Sequence, residues 1–189
     1  MADRIYLSCW VRGFSAQNML AAFEKVLKRF PFSRMQPMAI LRVYAIEIAE
    51  PPQTEERFED PLDPAEIIRR ARLFESSDCA YQVETNWDLW AWDEDWKITP
   101  APISISCFGP DFASDLGEQL RIEFGPDLRF LPQPGQGGSL TPVQSNIRSM
   151  LHLVQDLQKA LPLEKKTLWS ESGENLAERL QEALSEVDS

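Results

Sequence analysis

The clearest alternation of apolar and polar positions lies between Tyr81 and Phe108 and predicts a β-hairpin. In its first arm, every second residue from Tyr81 to Leu89 suits a buried face, and the residues between them are polar, which is typical of a half-buried strand. The alternation fails at Trp90 and Trp92, which fall on the polar face. Either a β-bulge redirects the chain there, or these two indoles lie on a surface that something else covers.

Three acidic residues at positions 93–95 form the predicted tip of this hairpin, and the return arm begins at Trp96. Pro100 and Pro102 interrupt the return arm before it continues towards Cys107. Because a proline cannot donate a hydrogen bond to a neighbouring strand, this part is expected to be a bulge, a bend or a sheet edge.

Similar patterns predict further elements before the hairpin. The expected elements are strands over residues 5–11 and 38–48 and helices over residues 15–30 and 64–74. The first strand is apolar on both faces, which indicates a central position in its sheet. Asp63 and Pro64 supply an N-cap and a first helical residue for the second helix. The proline-rich, acidic segment 50–63 shows neither period and is expected to be an exposed loop.

The tetrapeptide Phe-Gly-Pro-Asp occurs twice after the start of the hairpin, at residues 108–111 and 124–127. Gly-Pro-Asp is turn chemistry, since proline fixes φ and the aspartate can accept hydrogen bonds from nearby backbone amides. We interpret the copies as the exits of two strands, over residues 103–108 and 120–124, with a short strand over residues 128–131 after the second.

The chain divides at its one low-complexity segment. Residues 1–131 are predicted to form an α+β core domain, residues 132–140 a glycine- and proline-rich linker, and residues 141–189 a pair of helices packed on the core. The first helix of the pair is expected to run from Thr141 to about Leu161. The second begins near Ser172 and carries an apolar stripe at Leu176, Leu180, Leu184 and Val187.

Together these elements predict an α+β fold with a mixed or antiparallel sheet of five or six strands, in the order β-α-β-α-β-β-β. The first two helices are expected on one face of the sheet, with two C-terminal helices added after the linker. A β-α-β start followed by hairpins is similar to ferredoxin-like sandwiches in architecture alone, and such a likeness implies no function.

The net charge of the chain limits the classes of partner that it can bind. The chain has 189 residues and a formal net charge of −11, which would repel a phosphate backbone, so we expect no nucleic-acid binding. The N-terminus shows no apolar signal region, and no apolar run is long enough for a transmembrane helix, so we expect no signal peptide and no membrane contact. Three widely spaced cysteines without a CxxC pair indicate reduced thiols and a cytoplasmic location.

No motif for a phosphate-binding loop, a dinucleotide site, a serine nucleophile or a zinc protease is present in the sequence. The acidic tip lacks the ligand spacing of a calcium-binding EF-hand loop. The lone histidine, His152, is expected off the apolar stripe of its helix and in solvent. We therefore expect no cofactor, no metal and no catalytic residue, and the sequence favours a non-enzymatic role.

The tryptophans next to the acidic tip are the candidate binding residues. An indole ring supplies apolar contact area and attracts cations, and neighbouring carboxylates steer a basic partner. The candidate residues are Asp88, Trp90, Trp92, Asp93, Glu94, Asp95 and Trp96.

Three functional hypotheses remain open. The first is a protein-binding module for a basic protein, in one form an inhibitor or immunity-type protein. The second is a small-ligand binder or enzyme with a carboxylate-lined pocket beside the tryptophan hairpin, using carboxylates such as Asp88 or Glu84. The third is a structural domain that self-associates as a homodimer.

Overall fold

A computed structural model describes residues 2–173 and 175–186, so that Val187 of the predicted apolar stripe lies outside the described residues. Within these ranges, one antiparallel sheet of seven strands forms the centre of the protein. The strands are β1 (Arg4–Val11), β2 (Met38–Tyr44), β3 (Thr54–Glu59), β4 (Ala80–Asp93), β5 (Asp95–Phe108), β6 (Leu120–Pro126) and β7 (Leu163–Ser170). Their order in the sheet is β3-β2-β4-β5-β6-β1-β7.

The predicted α+β class is confirmed, but the predicted count of five or six strands is wrong. The two strands missing from the prediction are β3, within the expected loop 50–63, and β7, between the two C-terminal helices; both are at sheet edges. The predicted strand over residues 128–131 is instead a 3₁₀ helix, Asp127–Arg129. There the backbone amides of Phe130 and Leu131 both donate to the carbonyl of Asp127 (2.8 and 2.9 Å), so the chain turns.

The ferredoxin-like start is also wrong. In the observed order, β4, β5 and β6 separate β1 from β2, and every strand pair is antiparallel. The first strand does have neighbours on both sides, since it pairs with β6 and β7. Its apolar character on both faces therefore did indicate an interior position.

One face of the sheet is apolar, and four helices pack on it. Cross-strand register aligns Leu41, Val83, Ile105, Ile122 and Leu7 into one row on this face. Buried side chains of all four helices belong to the same hydrophobic core. The helices are α1 (Met19–Arg29), α2 (Pro64–Ala71), α3 (Thr141–Ala160) and α4 (Leu176–Ser185). No helix within the described ranges is long and apolar enough to cross a membrane.

The opposite face of the sheet is mostly polar. The neighbouring row of the register aligns Arg42, Gln82, Ser106, Arg121 and Ser8. A small second cluster of buried apolar side chains lies at one end of this face: Tyr44, Ala80, Phe108 and Phe112. We call this side of the sheet the polar face.

The two Phe-Gly-Pro-Asp copies have different structural roles. In the first, Gly109 lies so close to the chain before β4 that a Cβ atom would stand 2.2 Å from the carbonyl oxygen of Ser77. The hydroxyl of Ser77 also donates to Asp111 (2.5 Å). In the second copy, Gly125 has φ 79°, which favours glycine, and Asp127 begins the 3₁₀ helix. The two copies therefore have the same sequence but do not make the same contacts.

The three cysteines are buried and free, which gives a direct test of the packing. Burial raises the pKa of the Cys9 thiol to about 12 and also raises that of Cys107. Because the thiolate is the reactive form, we expect the native protein not to react with Ellman's reagent near pH 8, and all three thiols to react in guanidinium chloride. A thiol that reacts equally fast in both conditions would contradict its burial.

Candidate functional site

The hairpin formed by β4 and β5 has an uninterrupted register from Ala80–Phe108 to its tip, without a bulge. Trp90 lies opposite Ile98 and Trp92 lies opposite Trp96. The two indoles of the second pair meet edge to face, with ring centroids 5.3 Å apart. Of the two alternatives that the sequence left open at Trp90 and Trp92, the bulge is therefore wrong, and these indoles do lie on the face opposite Leu89.

The return arm also contains Pro100 and Pro102 without a break. Strand β6 pairs with β5 only between Ser104 and Cys107. The prolines therefore lie where β5 pairs with β4 alone. This is the edge position, one of the three predicted environments, and there the missing N–H groups cost no ladder bond.

The glycine-rich segment 132–139 covers part of the side of the hairpin that carries Trp92 and Trp96. A Cβ atom on Gly137 would lie 3.4 Å from the ring of Trp92, and one on Gly138 would lie 3.9 Å from the ring of Trp96. Both indoles are half-buried. The Nε1–H of Trp96 is buried and has no hydrogen-bond partner within the described part of the chain. The segment predicted as a linker thus packs on the hairpin; its role as a domain boundary stays a prediction.

The hairpin tip carries three exposed carboxylates, Asp93, Glu94 and Asp95. Glu94 has φ 59° between the paired residues Asp93 and Asp95. Asp95 accepts a hydrogen bond from the backbone amide of Trp96 (2.8 Å). Within residues 2–173 and 175–186, none of the three forms an ion pair.

The fourth carboxylate of the predicted site, Asp88, is engaged in a different contact. It accepts hydrogen bonds from the hydroxyl of Ser33 (2.5 Å) and from the backbone amides of Arg34 (2.9 Å) and Met35 (3.3 Å). Asp88 therefore holds the loop between α1 and β2 against β4, and its oxygens are not directed to a partner at the tip.

Asn146 of α3 holds the backbone of β4 at Trp90, and it was not among the residues predicted from the sequence. Its side-chain amide accepts from the backbone N–H of Trp90 (3.0 Å) and donates to the carbonyls of Trp90 (2.9 Å) and Arg129 (2.8 Å). Asn146 is 2% exposed. The available signal was a polar residue within the apolar stripe of α3, between the buried Val143 and Ile147.

A cleft of about 410 Å³ lies between the hairpin, the 3₁₀ helix and the segment 132–139. Among the described residues, its lining includes one basic side chain, Arg129, and no carboxylate. We call it the Arg129 cleft, and its lining residues are Ala91, Trp92, Pro126, Leu128, Arg129, Gln133, Pro134, Gly135 and Gln136.

Carboxylates do line a smaller cleft of about 270 Å³ on the polar face, which includes Glu84 and Glu123. Glu84 forms an ion pair with Arg42 (2.6 Å), and Glu123 forms one with Arg4. Both carboxylates are therefore neutralised within the chain. Within the described ranges, no group of three or more His, Cys, Asp and Glu side chains is arranged to hold a metal ion.

The predicted site residues thus fall into two groups that lie in different places. Trp90, Trp92, Trp96 and the acidic tip lie together at the end of the hairpin, whereas Asp88 serves the neighbouring loop. Comparisons of the chain with protein-family models, curated proteins and solved structures find no match.

Proposed function

We propose that the protein is a non-enzymatic, cytoplasmic binding protein that contacts a basic segment of a partner protein. The contact surface is the end of the hairpin, here called the hairpin surface: Trp90, Trp92, Trp96, Ile98 and the tip 93–95. One observation carries the proposal: three exposed carboxylates that form no ion pair with any described residue lie beside tryptophan rings that are only half-buried.

The chemistry of this surface suits lysine and arginine side chains. Exposed carboxylates raise the association rate of a basic partner, and an indole ring attracts a cation placed over its face. Ile98, which is 44% exposed, and the rims of Trp90 and Trp92 add apolar area that a partner can desolvate. An inhibitor or immunity-type protein that blocks a basic toxin or nuclease is one form of this function.

The part of the polar face formed by β2, β3 and the start of β4 is a weaker candidate for the same role. Its carboxylates Glu55 and Glu84 both bind Arg42, at 2.7 and 2.6 Å. A basic partner would have to displace an arginine that already satisfies them, so little net electrostatic energy would be gained. The free thiols Cys9, Cys79 and Cys107 support the cytoplasmic location.

The test compares two variants with the same change in net charge. The hairpin variant is Asp93→Asn/Glu94→Gln/Asp95→Asn, and the control variant is Glu50→Gln/Asp60→Asn/Glu164→Gln. Both sets of residues are exposed, and each variant moves the formal charge from −11 to −8 by removing three carboxylates. Binding of a fluorescein-labelled nona-arginine peptide is measured by fluorescence anisotropy.

We expect the hairpin variant to bind about tenfold more weakly than the control variant, which corresponds to a few tenths of a kcal/mol for each removed charge. The control variant should stay close to the wild type. Equal loss of affinity in the two variants would show that the peptide responds to overall charge, and the proposed surface would be rejected. Light scattering of the free protein detects the alternative, a homodimer.

A further inference from the structure

Arg129 is an unusual arginine in this protein. It is half-buried, and its side chain donates one hydrogen bond to the described residues, from Nη1 to the Thr99 hydroxyl at 3.3 Å. Within the described ranges it has no carboxylate partner. The four other half-buried arginines all pair with aspartate or glutamate: Arg42, Arg70, Arg121 and Arg179.

This unpaired charge has an energetic consequence. Burial lowers the pKa of Arg129, because the charged guanidinium is partly removed from water. An arginine nevertheless stays protonated at neutral pH. A partly buried charge without a charged partner is costly, and an anion that binds next to it recovers part of that cost. Arg129 therefore favours an anionic ligand in its cleft.

The residues that line the Arg129 cleft indicate the chemistry of the uncharged part of that ligand. Trp92, Pro126, Leu128 and Pro134 provide aromatic and aliphatic surface. Both nitrogens of Gln133 already donate within the chain: its backbone amide to the side chain of Gln136 (3.0 Å) and its Nε2 to the carbonyl of Leu131 (3.1 Å). The cleft volume of about 410 Å³ is within the range of small-molecule pockets.

We propose that the Arg129 cleft binds a small carboxylate with an aromatic or apolar body. The guanidinium would hold the carboxylate through two parallel N–H donors, a geometry that suits arginine, and the body would lie against Trp92. A phosphate is disfavoured because it needs more positive charge and more donors than one arginine provides, and the lining contains no lysine and no second arginine.

This site shares Trp92 with the hairpin surface but uses the opposite charge, since it depends on the guanidinium of Arg129 and not on the carboxylates of the tip. Isothermal titration calorimetry on the full chain compares benzoate with benzamide and phenylacetate with phenylacetamide. In each pair the body is the same and only the charge differs. We expect the wild type to prefer each acid to its amide by about tenfold.

Variants of Arg129 test whether its guanidinium causes the preference for the acid over the amide. Arg129→Gln should abolish the preference for the acid, and Arg129→Lys should keep part of it, because lysine retains the charge but not the two-donor geometry. Arg148→Gln is the control, since Arg148 is an exposed arginine on α3 and the change in charge is equal. The hairpin variant with three amides should bind both acids normally, which separates this site from the hairpin surface.

The proposal is overturned if the wild type binds neither acid, if it binds acid and amide equally well, or if Arg129→Gln and Arg148→Gln have the same effect. Circular dichroism establishes that each variant is folded. If Arg129→Gln does not fold, the selectivity of the wild type together with Arg129→Lys decides the question: a preference that Arg129→Lys leaves unchanged argues against a two-donor contact and rejects the site as described.

Discussion

Replacement of Gly109 by alanine is expected to destabilise the protein by on the order of 3 kcal/mol. The added Cβ would stand 2.2 Å from the carbonyl oxygen of Ser77 and 2.8 Å from that of Cys79. These atoms belong to the backbone and cannot move as a flexible side chain can. The backbone amide of Gly109 also donates to the carbonyl of Cys79 (2.8 Å), so relief of the clash breaks this bond.

The matched control is Gly137→Ala. Its Cβ would lie 3.4 Å from the ring of Trp92, which is an ordinary contact distance, and we expect a change within about 1 kcal/mol. Urea unfolding followed by circular dichroism measures both free energies of unfolding. Equal stability of Gly109→Ala and the wild type would mean that the turn after β5 does not approach residues 77–79 as closely as described.

Asn146→Ala is expected to cost about 2–4 kcal/mol. The substitution removes three hydrogen bonds at a side chain that is 2% exposed, and it leaves the backbone N–H and carbonyl of Trp90 and the carbonyl of Arg129 without this partner. Because these bonds join α3 to the hairpin and to the 3₁₀ helix, the substitution should also loosen the Arg129 cleft.

Gln155→Ala on the same helix is the control, since Gln155 is exposed and should change the free energy of unfolding by less than about 0.5 kcal/mol. Asn146→Asp is a closer probe of the contact. It keeps an acceptor for Trp90 N–H but replaces both donors and adds a buried charge, so it should destabilise at least as much as alanine. An aspartate variant as stable as the wild type would contradict the assignment of the two amide donors.

Sequence patterns predicted the interior of the sheet and missed its edges. Strands β1, β2, β4, β5 and β6 have a buried face against the helices, and the alternation of their apolar residues shows it. At one edge, β3 places Glu55, Arg57 and Glu59 on its exposed side. At the other edge, β7 begins with Leu163 followed by a run of charged residues. Charge on an edge strand discourages pairing with other chains, and it also removes the apolar alternation by which strands are predicted.

The functional surface was predictable where it depends on neighbours in the chain. The hairpin, its acidic tip and the position of Trp90 and Trp92 on the face away from Leu89 follow from local alternation. The covering of Trp92 and Trp96 by a glycine-rich segment does not, because flexible composition gives no information about distant contacts. Asn146 likewise acts on Trp90, which is 56 positions away in the chain.

The end of the second strand could not be predicted from the sequence either. The second strand was expected over residues 38–48 and ends at Tyr44. Ile46 has φ 67°, which is rare for a β-branched residue and directs the chain out of the sheet. The apolar letters continue past this point, with Ile46 and Ile48 exposed at 76% and 38%, so alternation alone could not locate the end of the strand.

The six tryptophans allow a direct test of the proposed contact between the hairpin surface and a basic partner. Each indole Nε1–H gives one peak in a ¹H–¹⁵N correlation spectrum, which Trp→Phe variants assign. On titration with the nona-arginine peptide, we expect the peaks of Trp90 and Trp92 to shift and those of Trp10 and Trp169, on β1 and β7, to stay in place. Shifts confined to Trp10 and Trp169 would contradict the proposed contact and place it at the β1–β7 edge of the sheet, away from the hairpin tip.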